Sequence, residues 1–172
     1  MGAGAAEFRS VVEQHQRMVF SIALRVTGEY GTAEEVAQDV FLELFRSGER
    51  LTGEDHVRFW LRRVTVHRAT DAIRRRLHRP ESAAEEWMDE THTGADGVAG
   101  VGTVLEARLE ELLGSLPEQM RIAVVLRYQE EMLPDEIAKL LNQPVATVKS
   151  NLQRGLKLLR RKAEITMKEY VR

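Results

Sequence analysis

Residues 134–162 read PDEIAKLLNQPVATVKSNLQRGLKLLRRK. A short amphipathic segment gives way to a break at Asn142–Gln143–Pro144, and a longer segment follows with apolar residues at helical spacing. With Val148 as the reference on a wheel of about 100° per residue, Leu152, Leu156 and Leu159 fall within about 80° of it, and Gly155 is adjacent. Ser150, Arg154, Lys157 and Arg161 lie on the far side, flanked by Thr147 and Asn151. One face can therefore bury while the other presents donors and positive charge. Short helix, tight turn and long basic helix is the helix-turn-helix pattern, whose second helix enters the major groove near its N-terminal end. Pro144, Val145 and Thr147, following Ile137, Ala138 and Leu141, would fix the crossing of the two helices.

In that geometry Asn151 can pair bidentately with adenine, Lys149 and Arg154 can reach guanine or phosphate, and Ser150 can serve either. Two blander readings compete: a solvated basic helix, or one lying on a membrane surface. The turn disfavours both, since neither requires it. Gly155 costs roughly 1 kcal/mol in a helix interior, so its position predicts a close packing contact.

The basic segment belongs to a chain whose formal net charge is −2 over 172 residues. The sum conceals blocks: +2 over residues 1–80, −8 over 81–111 and +4 over 112–172. Screening over about 8–10 Å makes such patches act locally. The acidic block includes PESAAEEWMDETHTGADGVAGVG, residues 80–102, which has no helical apolar period and reads as a linker. The expected division is residues 1–80, an acidic linker over 81–103, and residues 104–172. The fold class expected is all-α: two small helical domains joined by a flexible linker, the second a four-helix domain containing the helix-turn-helix. A flexible linker of this length has an r.m.s. span of roughly 25 Å, and two contacts on one duplex would reinforce each other through effective concentration.

There is no cysteine, which excludes disulfides and thiolate metal sites and fits a reducing compartment. No apolar run approaches a membrane span, and MGAGAAEFRS lacks the basic start and apolar core of a signal peptide. A cytoplasmic location without membrane insertion is expected.

In the first half, EFRSVVEQHQRMVFSIALRVTG predicts a helix ending near Gly28, and TAEEVAQDVFLELFRS predicts a second. Thr32 is its candidate N-cap, with Glu35 completing a capping box. Val36, Ala37, Val40, Phe41, Leu44 and Phe45 share one arc of this helix. Glu35, Gln38, Asp39, Glu43 and Arg46 lie opposite, with Leu42 among them. HVRFWLRRVTVHRATDAIRRRLHR, residues 56–79, predicts a third helix with eight arginines and one acid, Asp71. Trp60, Arg63, His67, Thr70 and Arg74 gather on one side. Arginines for phosphates, with an aromatic and an imidazole for base faces, suit an unstacked strand of nucleic acid. Trp60 would serve equally as a core tryptophan. In the second half VLEARLEELLGSL, PEQMRIAVVLRYQE, PDEIAKLL and the segment from Val145 to Tyr170 predict four further helices.

Taken in order, these segments resemble the extracytoplasmic-function sigma factors, small two-domain members of the bacterial sigma-70 family. AEEVAQDVFLELFR looks like their core-polymerase-binding helix, and FWLRRVTVHRATDAIRRRLHR like their promoter −10 helix. LEELLGSLPEQMRIAVVLRYQEEMLPDEIAKLLNQPVATVKSNLQRGLKLLRRK is similar to their −35-reading domain. The resemblance implies polymerase docking through Glu35, Gln38 and Asp39, with Phe41 and Phe45 at the margin. It implies −10 DNA contacts from Trp60, Arg63, His67, Arg74 and Arg75, and a base-holding loop within SGERLTGEDHVR. It implies −35 contacts from Thr147, Lys149, Ser150, Asn151, Arg154 and Lys157. Core RNA polymerase, promoter DNA and an anti-sigma protein are the implied partners, in a bacterial cytoplasm, with no cofactor and no metal.

Three positions depart from the family pattern. His67 stands where Asn is usual, which makes pH a variable for −10 contacts. Asn151 stands where Arg is common, which leaves −35 specificity open. Leu133 stands where a Ser would cap the next helix, so a frayed helix start is expected, with Pro134 suited to its first position.

An enzyme is disfavoured because the five histidines lack metal-ligand spacing and no nucleophile or phosphate-loop motif stands out. A carboxylate metal site on Glu35, Asp39 and Glu43 lacks a histidine on a facing helix. A one-component regulator binding an operator as a dimer would also carry a C-terminal helix-turn-helix, and a helical adaptor for acidic proteins would also present basic faces. The arginine-rich third helix argues against the regulator's sensor domain.

Overall fold

A computed structural model describes residues 2–47, 52–79 and 101–170. Residues 48–51 and 80–100 lie outside it, and with them most of the acidic linker and part of the loop expected to hold a base. Among the described residues every element is helical. Helices α1 (Gly2–Thr27), α2 (Tyr30–Ser47) and α3 (Glu54–Leu77) pack pairwise into one bundle. Helices α4 (Val101–Gly114), α5 (Glu118–Val124), α6 (Pro134–Leu141) and α7 (Val145–Tyr170) form the second.

The turn between α1 and α2 is Gly28, at φ +74°, where the left-handed backbone favours glycine. The next helix then starts at Tyr30, earlier than the capping box predicts. Thr32 is inside α2, and its hydroxyl donates back to the Glu29 carboxylate rather than capping the helix. In the first bundle Val19, Ile22, Ala23, Val26, Val36, Val40, Leu61 and Ala69 are buried. Thr65 is fully buried there and satisfies its hydroxyl by donating 2.6 Å to the Leu61 carbonyl one turn back.

The segment expected as one helix from Pro117 to Glu130 changes register midway. After α5, residues Val125–Gln129 form a π turn, closed by the Glu130 N–H donating 3.3 Å to the Val125 carbonyl. Such a turn inserts one extra residue and redirects the side chains beyond it by about 100°. Glu131, at φ +55°, ends the segment.

Helix α6 begins without fraying, contrary to the reading of Leu133 alone. Glu136 accepts a 2.7 Å hydrogen bond from the Leu133 N–H, which is the half of a capping box that needs no side chain at the cap itself. At its other end Asn142 adopts φ +51°, and the Gln143 N–H donates 3.0 Å to the Ala138 carbonyl, closing the helix as it turns into α7. Ile137 and Leu140 of α6 and Val148 of α7 are buried to 1% or less exposure. Leu140, rather than Leu141, is thus the deeper anchor.

The bundles touch. Helix α6 packs on α3, and α1 meets α4, α5 and the π turn. Arg121 of α5 donates 2.6 Å to the Val26 carbonyl in α1 and 3.0 Å to each of the Gly114 and Leu116 carbonyls. Burial lowers the pKa of this guanidinium from its ordinary value.

Candidate nucleic-acid interface

On α7 the buried stripe is Val148, Leu152 and Gly155, with Leu156 and Leu159 half-buried. Thr147, Lys149, Arg154 and Lys157 are exposed, and Ser150 and Asn151 half-exposed. Gly155 sits where α7 crosses α5: a Cβ there would lie 3.1 Å from Val124 Cγ2 and 3.4 Å from Met120 Cβ. The close approach that the glycine predicts is present, and it seats the recognition helix against its own domain.

Helix α3 sorts its arginines by partner. Arg58 pairs with Glu54 at 2.9 Å, Arg62 with Glu130 at 2.9 Å, Arg68 with Glu43 at 2.6 Å and Arg76 with Glu29 at 3.0 Å. Arg63, Arg74 and Arg75 are exposed and have no carboxylate partner among the described residues. His67 is exposed on the same side as Arg63 and Arg74. Lys149, Arg154 and Lys157 likewise lack a carboxylate among the described residues. Cations without internal counter-charge are the ones available to phosphates.

Trp60 requires a correction. It is only 5% exposed and belongs to the apolar core, so it offers no ring face to a base. On the wheel it falls at the margin between the basic arc and the Leu61–Val64 side, and the larger gain from burying an indole turns it inward. Thr70, on the same arc by sequence, is also buried at 9% exposure.

Helix α2 exposes Glu35, Gln38 and Asp39. Phe41 is half-buried against the core, whereas Phe45 is 64% exposed with an edge contact to Phe8 at 5.2 Å. Leu42, in the middle of the polar arc, is 46% exposed. An exposed apolar side chain on the same arc as Glu35, Gln38 and Asp39 is a feature that charge-based reading passes over. Glu43 is held by Arg68, whose pKa its hydrogen bond raises, so it does not join Glu35 and Asp39 as a free carboxylate. No group of three or more His, Asp or Glu among the described residues is arranged to hold a metal ion. No described helix is long and apolar enough to cross a membrane.

The fold is a helix-turn-helix domain with an exposed basic face on α7, joined to a second helical domain whose Arg63, Arg74 and Arg75 have no carboxylate partner among the described residues. Residues 11–79 match sigma-70 region 2, and residues 106–159 match sigma-70 region 4. The ECF RNA polymerase sigma factor SigW of Bacillus subtilis is 27% identical over 90% of this chain and 87% of its own length. The ECF RNA polymerase sigma factor SigE of Mycolicibacterium smegmatis is 31% identical over 92% of this chain and 62% of its own length. Among solved structures, the sigma factor RpoE of Bartonella quintana, in complex with the anti-sigma factor NepR, shares the fold. Its TM-score is 0.71 at 15% identity, covering 92% of this chain and 98% of that one. CnrH in complex with the cytosolic domain of CnrY has a TM-score of 0.63 at 22% identity, over 95% and 91% of the two chains. The chain belongs to the extracytoplasmic-function sigma factors of the sigma-70 family. It is an RNA polymerase sigma factor, and the operator-binding regulator is not favoured.

Proposed function

We propose a division of this activity among three surfaces. Residues 1–80 dock on core polymerase and capture the −10 element, residues 104–172 read the −35 element, and residues 81–103 connect them. Glu35, Gln38 and Asp39 make the polar contacts to polymerase, with Leu42 and Phe45 as apolar anchors and Phe41 supporting them from the core side. Arg63, His67, Arg74 and Arg75 hold the opened −10 strand. Thr147, Lys149, Ser150, Asn151, Arg154 and Lys157 face the −35 duplex. The chain supplies no catalytic group; its role is positioning polymerase on a promoter in the bacterial cytoplasm. An anti-sigma protein is a further partner, a reading supported by the anti-sigma complexes of the two structures that share the fold.

The observation that carries the assignment is the split on α7, where Val148 and Leu152 are buried while Thr147, Lys149 and Arg154 are exposed at the helix's leading end. That is the orientation a recognition helix needs. Run-off transcription with purified core polymerase tests it. The chain should start RNA at a defined site, and Asn151→Ala should relax one −35 position by about 1–3 kcal/mol. Unchanged preference at every −35 position would remove α7 from the reading role.

A further inference from the structure

We propose that Phe8, in the opening turns of α1, is a positioning residue for polymerase docking, holding the exposed ring of Phe45 at the end of α2. The inference rests on the proposed role of α2 as the polymerase-facing helix. On α2, Glu35, Gln38, Leu42 and Phe45 follow one another at i, i+3, i+7 and i+10, within about 80° on the helical wheel. This stripe begins with a carboxylate and an amide and ends on two apolar side chains that are 46% and 64% exposed. Phe45 stands in the last turn of α2, which ends at Ser47. A phenylalanine left there by itself would sample more than one rotamer, and a partner would have to order it on binding.

Phe8 supplies the missing support. The face of α1 that buries His15, Val19, Ile22 and Val26 passes through position 8 at the same helical spacing. At that level the bundle has thinned. Gln14 donates 3.2 Å to the Glu54 carboxylate in the first turn of α3, so α3 starts beside Gln14, and Phe8 lies about 9 Å further along α1. What meets Phe8 there is the end of α2. The rings of Phe8 and Phe45 pack edge to face, with centroids 5.2 Å apart and planes at 65°. In that arrangement the positive edge of one ring meets the negative face of the other. Phe8 is half-buried while Phe45 keeps most of its surface. One ring braces and the other is presented.

The brace comes from outside the segment that matches the family. That match begins at residue 11, and Phe8 precedes it. The opening turns of α1 thus add something of this chain's own to a surface whose other members lie within the matched segment. The effect on binding is indirect. Phe8 fixes the Phe45 rotamer before polymerase arrives, which lowers the cost of ordering that side chain in the complex.

Titration of the full chain with purified core polymerase tests the brace, on variants that circular dichroism shows to be folded. Phe8→Ala should weaken binding about two- to tenfold. Phe8→Tyr keeps an edge-on ring and should bind within about twofold of the parent. Phe45→Ala should weaken binding at least as much as Phe8→Ala, and adding Phe8→Ala to it should cost nothing further, because Phe8 acts through Phe45. A residue that merely stabilised α1 would cost the same in both backgrounds. Without polymerase, Phe8→Ala should shift the Phe45 ring resonances in the NMR spectrum. Parent-like affinity of folded Phe8→Ala, equal losses in the two backgrounds, or Phe45 resonances that stay in place would each overturn the brace. If Asp39→Arg and Phe45→Ala also bind as the parent does, the assignment of α2 to polymerase has failed and takes the brace with it. If those two weaken binding and Phe8→Ala does not, the brace alone has failed.

Discussion

Replacing Gly155 by alanine sets two well-characterised effects against each other. In an open helical position the exchange gains about 1 kcal/mol from helix propensity. Here the added methyl would stand 3.1 Å from Val124 Cγ2, 3.4 Å from Met120 Cβ and 3.6 Å from the Met120 carbonyl oxygen. Carbon atoms prefer separations of about 3.5–4.0 Å, so α5 and α7 must part by several tenths of an ångström. Val124 is 5% exposed and β-branched, and its methyl has little freedom to swing away. Overpacking of this kind costs about 1–3 kcal/mol, which leaves a net loss on the order of 0–2 kcal/mol rather than a gain. Urea denaturation of Gly155→Ala measures it. Gly31→Ala is the control, because its Cβ would meet nothing nearer than Glu29 Oε1 at 3.9 Å. Adding Val124→Ala should relieve the contact, so the double variant should be more stable than the sum of its parts by about 0.5 kcal/mol or more. A gain of about 1 kcal/mol from Gly155→Ala alone, with no coupling to Val124, would refute the claim that close approach fixes the recognition helix.

Other expectations concern charge. His15 is 4% exposed, and burial first, then Arg58 and Arg62, lower its pKa, with Glu54 opposing. The unfolded chain thus takes up the proton first: stability is fully present above about pH 6.5 and is lost as pH falls through the lowered folded value. His15→Gln should flatten the urea midpoint between about pH 7 and 5; an unchanged slope would place the effect elsewhere. Asp39→Arg should abolish binding to core polymerase while the unfolding free energy changes by no more than about 0.5 kcal/mol, since the site is exposed. Pull-down and denaturation read the two outcomes. Arg154→Ala should weaken all duplexes alike and reduce the salt slope of binding by roughly one, as measured by titration at several salt concentrations.

Periodicity made the helices legible because each buries a regular stripe, and Gly155 announced its own contact. What escaped was set by single hydrogen bonds or by the other domain. The start of α6 depends on the Glu136 carboxylate reaching the Leu133 N–H, so Leu133 read by itself predicts a frayed end that the helix does not have. The start of α2 moved because Thr32 found Glu29 instead of its own helix backbone. A π turn leaves no periodic mark in a five-residue stretch, and Val125–Gln129 is apolar enough at its start to pass as α-helix. Trp60 failed for a different reason: a residue at the boundary of two arcs is decided by packing that no wheel contains.

The arginine-rich helix looked uniform in the sequence, yet its neighbours Arg62 and Arg63 point about 100° apart and meet different fates. Arg62 is sequestered with Glu130, whereas Arg63 is exposed without a carboxylate among the described residues. On the proposed assignment, holding the domains together and holding DNA are therefore separable on one helix. Removing Arg63 should lower the salt dependence of strand binding and leave the interdomain distance alone. Removing Arg62 should do the reverse, because a cation already neutralised inside the protein releases no counterion from DNA. Both effects appearing in either single variant would mean that α3 does not keep the two tasks apart.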